Sequence, residues 1–396
     1  YLEDGWRSYM AKAVRDKFHK PTIAIGNIRN PQVAEDILAR GDSDIIGIGR
    51  GLIADPDWCN KARYGDVEDI RKCISCNIGC VGNRIGGNKP LRCTINPDLI
   101  NGEAYKKQQV RKPCNVVVVG AGTAGLEAAC TAAEVGCSVT LLEKQDHIGG
   151  LSVEISKIPA KKRLADFPTY LKHRAEKLKS LTIKTGVDTT VDMIKSYHPD
   201  LVVNATGSVP LLPPIDGLHE NLGKEGSGVY GIKDLMGNVE AFDKDMTGKT
   251  VIVIGGGAVG LDVVEFFAPR GAKTTIIEML PTIGNGLDAS STSSMKECME
   301  KHQVTQLVNT ALQKVNPHSF IVKRDGKEEE LPFDYGFVCL GMKAYAPLWD
   351  EIVEGFDGED TEILNIGDSV RARRIIDGTD AGRHMVLATL DRLHYL

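Results

Sequence analysis

The sequence predicts an α/β protein with two Rossmann-like nucleotide-binding domains, one inserted into the other. A pattern of buried strand, glycine-rich turn, helix and second strand begins near residue 115 and is repeated near residue 250. Two later apolar runs, 201–207 and 334–341, mirror each other and both end in glycine. Because these copies alternate along the chain, we expect the second domain to interrupt the first.

The first glycine-rich turn has the spacing of a dinucleotide-binding fingerprint, Gly120-x-Gly122-x-x-Gly125. The first glycine makes a tight turn, the second lets a pyrophosphate approach the backbone, and the third lets helix and strand pack closely. Glu143 ends the next strand, where a carboxylate bonds ribose hydroxyls, and Lys144 follows it directly. The elements stand in register, which predicts a bound nucleotide rather than an empty glycine turn.

The second turn repeats the fingerprint, with Glu278 in the acidic position and three glycines at the same spacing, Gly255, Gly257 and Gly260. An acid at this position repels a 2′-phosphate and accepts from a 2′-hydroxyl, which favours NAD over NADP. Arg270 and Lys273 are close in sequence, so NADP stays open as the alternative.

A late strand ends in Gly367-Asp368 and indicates which fingerprint serves which nucleotide. A carboxylate there suits the ribityl chain of an FAD and would complete the first domain after the insertion. We therefore assign FAD to the first fingerprint and NAD to the second. Asp368 could instead cap the following helix. Ala205, Thr206 and Gly207 end another strand near the presumed FAD, with a plain turn as the alternative.

Four cysteines lie on one glycine-rich segment just before the first fingerprint: Cys73, Cys76, Cys80 and Cys93. Thiolate quartets hold iron–sulfur clusters or structural zinc. Zinc sites usually show two Cys-x2-Cys pairs and the second is missing here, so the spacing favours a [4Fe–4S] cluster. Zinc and unliganded thiols are the alternatives. The remaining cysteines are expected to be ordinary buried residues: Cys59, Cys114, Cys130, Cys137, Cys298 and Cys339.

Composition excludes several classes of function. The chain has 396 residues and a net charge of −5, so nothing indicates nucleic acid or an anionic membrane as a partner. No apolar run is long enough for a transmembrane helix. Ten cysteines without a secretory leader predict a reducing cytoplasmic location. The opening residues lack an initiator Met and resemble mid-domain sequence, so we expect a fragment of a longer polypeptide.

The first fifty residues are predicted to form a strand, a helix and a second strand, the order that is typical of a parallel α/β unit. The strands end in Gly26-Asn27 and Gly49-Arg50. In a (β/α)8 barrel, the loops after strands seven and eight commonly form a phosphate site, and Arg50 could add a charge-assisted contact. On these residues alone, ordinary loops are the favoured interpretation.

Taken together, these residues resemble the family of 2,4-dienoyl-CoA reductase, enoate reductase and trimethylamine dehydrogenase, multi-cofactor flavoproteins whose N-terminal half is an Old Yellow Enzyme barrel. The similarity is carried by GNIRNPQVAEDILARGDSDIIGIGRGLIADPDW, CISCNIGC with CTINP, GAGTAGLEAA, HIGGLSVEISKIPAKKRLADF and IGDSVRARRIIDG. Roughly the first six βα units of the barrel are absent. In the family these carry most FMN contacts and the proton-donating Tyr or His, so no catalytic residue is assigned.

The resemblance implies a set of cofactor ligands. The four cysteines of the segment would bind a [4Fe–4S] cluster, and the FMN phosphate would lie on Gly26, Asn27, Gly49 and Arg50. FAD would lie on Gly120, Gly122, Gly125, Glu143 and Asp368, with Lys144, Ala205, Thr206, Gly207 and Gly367 beside them. NADH would lie on Gly255, Gly257, Gly260 and Glu278.

The resemblance also implies the domains: the end of an FMN-binding TIM barrel (1–64), a cluster segment (65–112), an FAD domain in two parts (113–242 and 345–396) and an NAD domain (243–344). The implied function is NADH-dependent reduction of an activated C=C bond, with electrons passing through FAD and the cluster to FMN. Enoates, enoyl-CoA thioesters and unsaturated 3-oxo steroids of the bile-acid type all fit. Barrels of this family often associate, so we expect a homo-oligomer.

Three other functions compete. An amine dehydrogenase would run electrons in reverse, but the intact second fingerprint with Glu278 argues against it. An NADH diaphorase would feed a partner and have no organic substrate of its own. A non-catalytic NAD sensor with structural zinc would be distinguished by iron and sulfide analysis.

Overall fold

The computed structural model describes residues 2–101 and 108–396, which form two compact units. Unit 1 comprises the residues up to Val153 together with Arg163–Gly207 and Tyr345–Leu396. Unit 2 comprises Glu154–Lys162 and Ser208–Ala344. The longer segment of unit 2, Ser208–Ala344, contains the second fingerprint.

The elements follow in chain order. The helices are α1 (Ser8–Phe18), α2 (Pro31–Ala39), α3 (Arg50–Ala54), α4 (Trp58–Tyr64), α5 (Asp98–Asn101), α6 (Thr123–Glu134), α7 (Leu151–Ser156), α8 (Asp166–Glu176), α9 (Val191–Lys195), α10 (Leu218–Asn221), α11 (Ile232–Gly237), α12 (Val239–Phe242), α13 (Ala258–Phe267), α14 (Ala289–Lys301), α15 (Trp349–Gly355), α16 (Ile375–Asp380) and α17 (Val386–Arg392). The strands are β1 (Ile23–Ala24), β2 (Ile45–Ile46), β3 (Asn115–Val119), β4 (Ser138–Leu142), β5 (Leu181–Lys184), β6 (Leu201–Asn204), β7 (Ser208–Pro210), β8 (Val229–Gly231), β9 (Thr250–Ile254), β10 (Lys273–Ile277), β11 (Thr305–Leu307), β12 (Thr310–Asn316), β13 (Ser319–Arg324), β14 (Lys327–Pro332), β15 (Tyr335–Val338), β16 (Met342–Ala344) and β17 (Glu362–Asn365).

The first part of unit 1 packs short helices on a two-stranded parallel sheet, β1 beside β2. Both strands are shorter than the apolar runs that predicted them, because a sheet of two strands has few ladder bonds to hold it. Ala24, Ile37 and Trp58 are buried beneath it. Ile23 and Ile45 on the same strands remain more than half exposed.

The cysteine segment contains regular backbone structure. Ser75 and Asn77 adopt left-handed backbone conformations, with φ of 57° and 59°. A π-helix, Ile78–Gly86, follows directly. Its wide turns present Cys80 on the same side as the cysteines before and after it, as described below.

The main sheet of unit 1 is parallel, in the order β17-β6-β3-β4-β5. Alternate residues of β3 enter two different cores, because side chains of a strand point to opposite faces. Val116 and Val118 pack with α6 and α17, and Val117 and Val119 pack towards α9 and α15. Both faces are therefore covered, as parallel sheets require, and the carboxyl ends of the strands meet at one edge.

Unit 2 repeats this architecture in a parallel sheet ordered β11-β10-β9-β15-β8. An antiparallel sheet, β12-β13-β14, and the antiparallel pair β7 and β16 complete it. The edge strand β8 pairs with β15, so residues before the predicted boundary at 243 belong to this sheet. We propose that the domain begins near Ser208.

Residues 160–180 have the sequence pattern of one basic, amphipathic helix, but the structure divides this helix in two. Pro159–Ala165 forms a 3-10 helix and α8 begins at Asp166. Pro168 explains the break, because it has no N–H to donate to the carbonyl of Leu164. None of the helices in the described ranges is long and apolar enough to cross a membrane.

Candidate nucleotide and cluster sites

The first fingerprint needs glycine at two positions for lack of space. Gly120 has φ of +99°, and a Cβ there would lie 2.5 Å from the carbonyl oxygen of Ala205. A Cβ on Gly125 would lie 1.9 Å from the carbonyl oxygen of Gly120. Gly122 is different, since its φ is −72° and a Cβ would meet nothing within 4 Å. It leaves open space before the N-terminus of α6, where backbone N–H groups favour a pyrophosphate.

The predicted ribose carboxylate lies beside this loop. Glu143 accepts from the N–H of Ala121 at 2.6 Å and from the N–H of Gln145 at 2.8 Å. These bonds fix the carboxylate between the glycine turn and the end of β4. Lys144 extends along the surface and pairs with Asp188 at 3.1 Å, so it is engaged outside the loop.

The returning segment reaches the same edge of the sheet. A Cβ on Gly367 would lie 2.9 Å from Cβ of Ala124, so this turn touches the start of α6. Asp368 accepts from the N–H of Arg373 at 2.9 Å, within the turn that leads to α16. The N-cap of α16 is Arg374, so Asp368 does not cap that helix itself.

The turn after β6 completes the edge. Gly207 has φ of +84°, and a Cβ there would meet nothing within 4 Å. Thr206 donates from its hydroxyl to the carbonyl of Tyr345 at 2.6 Å. The structure thus brings the predicted FAD residues of β3, β4, β6 and β17 together at the carboxyl edge of one sheet.

The second fingerprint reproduces the first in detail. A Cβ on Gly255 would lie 2.2 Å from the carbonyl oxygen of Cys339, and one on Gly260 would lie 1.8 Å from that of Gly255. Gly257 has φ of −78°, and its Cβ would be free of contacts within 4 Å. The second loop is therefore also open where a pyrophosphate would approach α13.

Glu278 holds the acidic position of this loop. Its carboxylate accepts from the N–H groups of Gly256 at 2.7 Å and Leu280 at 2.8 Å. Arg270 and Lys273, which left NADP open, lie at the opposite end of β10, roughly 16 Å away along the strand. Arg270 is moreover paired with Asp243 at 2.6 Å. The geometry of the second loop therefore supports NAD over NADP as its nucleotide.

The four cysteines line one cavity in unit 1 together with Arg50, Asn77 and Thr94. None of them forms a disulfide. Nowhere in residues 2–101 and 108–396 do three His, Cys, Asp or Glu side chains converge in a way that could hold a metal ion.

Burial raises the proton affinity of three thiols of this cavity. It raises the pKa of Cys76 and Cys80, and raises that of Cys93 to about 11, while the charge of Arg50 opposes the effect at Cys80. The sulfurs accept hydrogen bonds from the backbone N–H groups of Ile78, Val81, Ile95 and Asn96. Iron would take the place of the protons, and these N–H groups would stabilise the thiolates.

Two residues predicted to hold the FMN phosphate make hydrogen bonds to the cysteine segment. Arg50 donates to the side-chain oxygen of Asn77. The Asn27 amide donates to Asp4 at 2.9 Å and accepts from the hydroxyl of Ser75 at 2.9 Å.

Their glycine neighbours differ from each other. A Cβ on Gly26 would lie 2.9 Å from Cβ of Arg7, whereas one on Gly49 would be free within 4 Å. Gly49 is therefore the one of these two glycines that leaves room for a phosphate.

Sequence reasoning missed Arg163, which is buried beside the cysteine segment. Its guanidinium donates to the Ser75 hydroxyl at 3.2 Å and to the Asp4 carboxylate at 3.0 Å. Arg163 lies in the basic run that was predicted to form one amphipathic helix. No pattern in the sequence distinguishes it from its exposed lysine neighbour, Lys162.

A half-buried ion triad in unit 2 was also missed. Lys161 lies 2.8 Å from Asp262 and 2.9 Å from Glu265, both on α13. Burial alone would lower the pKa of Lys161, but the two carboxylates outweigh it and raise the pKa. The triad holds the short segment Glu154–Lys162 against the helix of the second fingerprint.

Comparisons with known proteins match three stretches of the chain to protein families. Residues 4–69 match the NADH:flavin oxidoreductase / NADH oxidase family. Residues 115–169 match the FAD dependent oxidoreductase family, and residues 169–354 match pyridine nucleotide-disulphide oxidoreductase.

Individual relatives are longer than this chain. An NADH oxidase of Thermoanaerobacter brockii is 36% identical, with 96% of this chain and 57% of the relative covered. A cinnamate reductase of Clostridium sporogenes is 29% identical, with 90% and 51% covered. A solved 2-naphthoyl-CoA reductase superposes with a TM-score of 0.85 at 28% identity, with 97% and 56% covered. The chain therefore spans just over half the length of these relatives.

Proposed function

Because this chain belongs to the NADH:flavin oxidoreductase family of enoate reductases and trimethylamine dehydrogenase-type flavoproteins, we propose that it delivers electrons from NADH to the reduction of an activated C=C bond. The observation that carries the proposal is the combination of two open fingerprint loops, each with a fixed carboxylate, and a four-cysteine cavity in one chain.

The residues fit the cofactors that the family uses, which are FAD, FMN, a nicotinamide nucleotide and typically a [4Fe–4S] cluster. When bound, these groups take up the two electrons of NADH and pass them on singly or in pairs. Gly122 and Gly257 leave room for two pyrophosphates, and Glu143 and Glu278 are fixed where ribose hydroxyls would be bound.

The protein's own side chains position and insulate these groups. The N-terminus of α6 and that of α13 each supply backbone N–H groups and a positive dipole end to a phosphate. The cavity around Cys73, Cys76, Cys80 and Cys93 is enclosed by apolar side chains, Ile53, Ile74 and Ile95. These side chains would limit the access of water to a cluster, and Arg50 places a positive charge at the edge of the cavity.

The substrate would lie in a barrel of which this chain supplies two strands. Ile23, Ile25 and Ile45 are more than half exposed on β1, β2 and the loop after β1, a surface that further barrel strands would cover. Enoates, enoyl-CoA thioesters and unsaturated 3-oxo steroids are the proposed substrate classes. A cytoplasmic homo-oligomer acting on such a small molecule is part of the proposal.

Amine dehydrogenation is less favoured by the second fingerprint. A dehydrogenase that releases electrons elsewhere has no need of a loop shaped for NADH. Here Gly257 is open and Glu278 is fixed by two backbone N–H groups, so the second loop keeps every feature of a working nucleotide site.

An anaerobic NADH titration, followed by visible absorbance and EPR, tests the proposal. We expect the flavin to bleach and a reduced-cluster EPR signal to appear with it. Iron and sulfide should be present at four each per chain. Hydrogenation of cinnamate or an enoyl-CoA would then be followed by NADH consumption.

Two serine variants give the control. Cys93→Ser removes a thiol from the cavity and should abolish the EPR signal while the flavin still bleaches. Cys59→Ser changes an exposed cysteine on α4 and should leave both signals intact. Zinc in place of iron, or a flavin that NADH does not bleach, would refute the proposed electron transfer.

A further inference from the structure

We propose that the Thr94 hydroxyl sets the reduction potential of the cluster by donating a hydrogen bond to the thiolate of Cys76. This inference rests on the proposed function, since it requires iron on the four cysteines. It assigns to Thr94 a positioning and tuning role that the sequence motif does not include.

The contact is short and buried. The Thr94 Oγ1 lies 3.1 Å from the Cys76 Sγ, within the range of hydrogen bonds to sulfur. Thr94 is 1% exposed and lines the cysteine cavity next to Cys93. Water therefore cannot replace the hydroxyl as a donor.

Metal binding fixes the direction of this bond. In a free thiol either atom could donate, but an iron-bound cysteine has lost its proton. The hydroxyl of Thr94 must then be the donor and the sulfur the acceptor. The hydroxyl dipole is thus directed with its positive end at the cluster.

The sign of the effect follows from charge. Reduction adds one electron to the cluster and increases the negative charge on its thiolates. A donor to sulfur is bound more strongly by the reduced form, so it raises the reduction potential. The backbone N–H groups around the thiolates, including that of Ile78 at Cys76, act in the same direction, but Thr94 is a side chain and can be exchanged.

Thr94→Val is the sharpest test, because it replaces the hydroxyl with a methyl group of nearly the same shape. At a fixed potential we expect the ratio of reduced to oxidised cluster to fall about fivefold, which is roughly 40 mV for a one-electron couple at 59 mV per tenfold. The measurement is an EPR-monitored redox titration of the anaerobically purified holoprotein, with iron, sulfide and FAD contents determined on the same samples.

Two further variants complete the design. Thr94→Ser keeps the hydroxyl and should keep the wild-type potential. Thr310→Val removes a buried hydroxyl that donates to the carbonyl of Val308 in unit 2, and it should leave the potential unchanged.

Each possible result either supports or overturns the role of the Thr94 hydroxyl. A lowered potential in Thr94→Val alone, or loss of iron in Thr94→Val while Thr94→Ser retains four irons, supports the role of the hydroxyl. An unchanged potential in Thr94→Val, or equal changes in Thr94→Val and Thr94→Ser, overturns it. A wild-type protein without iron and sulfide would instead refute the proposed function, so the two failures are distinguishable.

Discussion

The guanidinium of Arg29 donates to the carboxylate of Asp166 at 2.6 Å, across 137 positions of the sequence. The same guanidinium donates to the Asp4 carboxylate at 3.0 Å and to the carbonyl oxygen of Cys73 at 3.0 Å. Arg29 therefore ties the start of the chain, the cysteine segment and the first residue of α8 to one another within unit 1.

Arg29→Gln should lower the free energy of unfolding by about 2 kcal/mol, because the half-buried Asp166 carboxylate loses this cation and Asp4 keeps only its pairing with Arg163. Asp166→Asn should cost less, about 1 kcal/mol, since Arg29 keeps Asp4. Urea unfolding followed by circular dichroism measures both. Lys12→Gln removes an exposed pair on α1 and should change stability by less than about 0.5 kcal/mol. Equal effects of all three variants would contradict the role of Arg29.

Alanine substitutions at two glycines of the first fingerprint should have different effects, one on FAD binding and the other on stability. Gly122→Ala has room for the new methyl group, so the protein should fold normally but bind FAD at least about tenfold more weakly. Gly125→Ala would force Cβ against the carbonyl of Gly120, so stability should fall by about 3 kcal/mol or more. Flavin content and thermal unfolding separate the two. Full FAD occupancy in Gly122→Ala would show that the pyrophosphate lies elsewhere.

The second fingerprint offers the matching change for NADH. Gly257→Ala should leave FAD content and stability unchanged and raise the KM for NADH at least about tenfold, because the methyl group fills the open space before α13. Steady-state reduction of an artificial acceptor measures the KM. A raised KM together with lost FAD would mean that the two loops do not act on separate nucleotides.

Glu278 should determine the preference for NADH. Glu278→Gln removes the charge that repels a 2′-phosphate and weakens the bond to the 2′-hydroxyl, so the ratio of kcat/KM for NADH over NADPH should fall about tenfold. Glu297→Gln, an exposed change on α14, is the control and should leave the ratio as it was. If NADPH is already preferred by the wild type, the structural argument from Arg270 and Lys273 is wrong.

The sequence by itself determined the chemistry of the two loops. Glycine spacing and the acid one strand later are local patterns, because a tight turn, a close approach and a fixed carboxylate need particular residue types within about twenty-five positions. Gly120, Gly125, Gly255 and Gly260 meet backbone oxygens as this pattern requires. The duplication also predicted an inserted unit. In the structure the main part of this unit begins at Ser208.

Only the tertiary structure decided which polar side chains surround the cysteines. Arg50 reaches that cavity and Arg163 reaches Ser75 of the cysteine segment from distant parts of the chain, and their sequence neighbours look equally suitable. Burial is what selects them, since a charge or hydroxyl acts strongly on sulfur only where water is excluded. Burial depends on packing between distant segments, and no local pattern of residues records it.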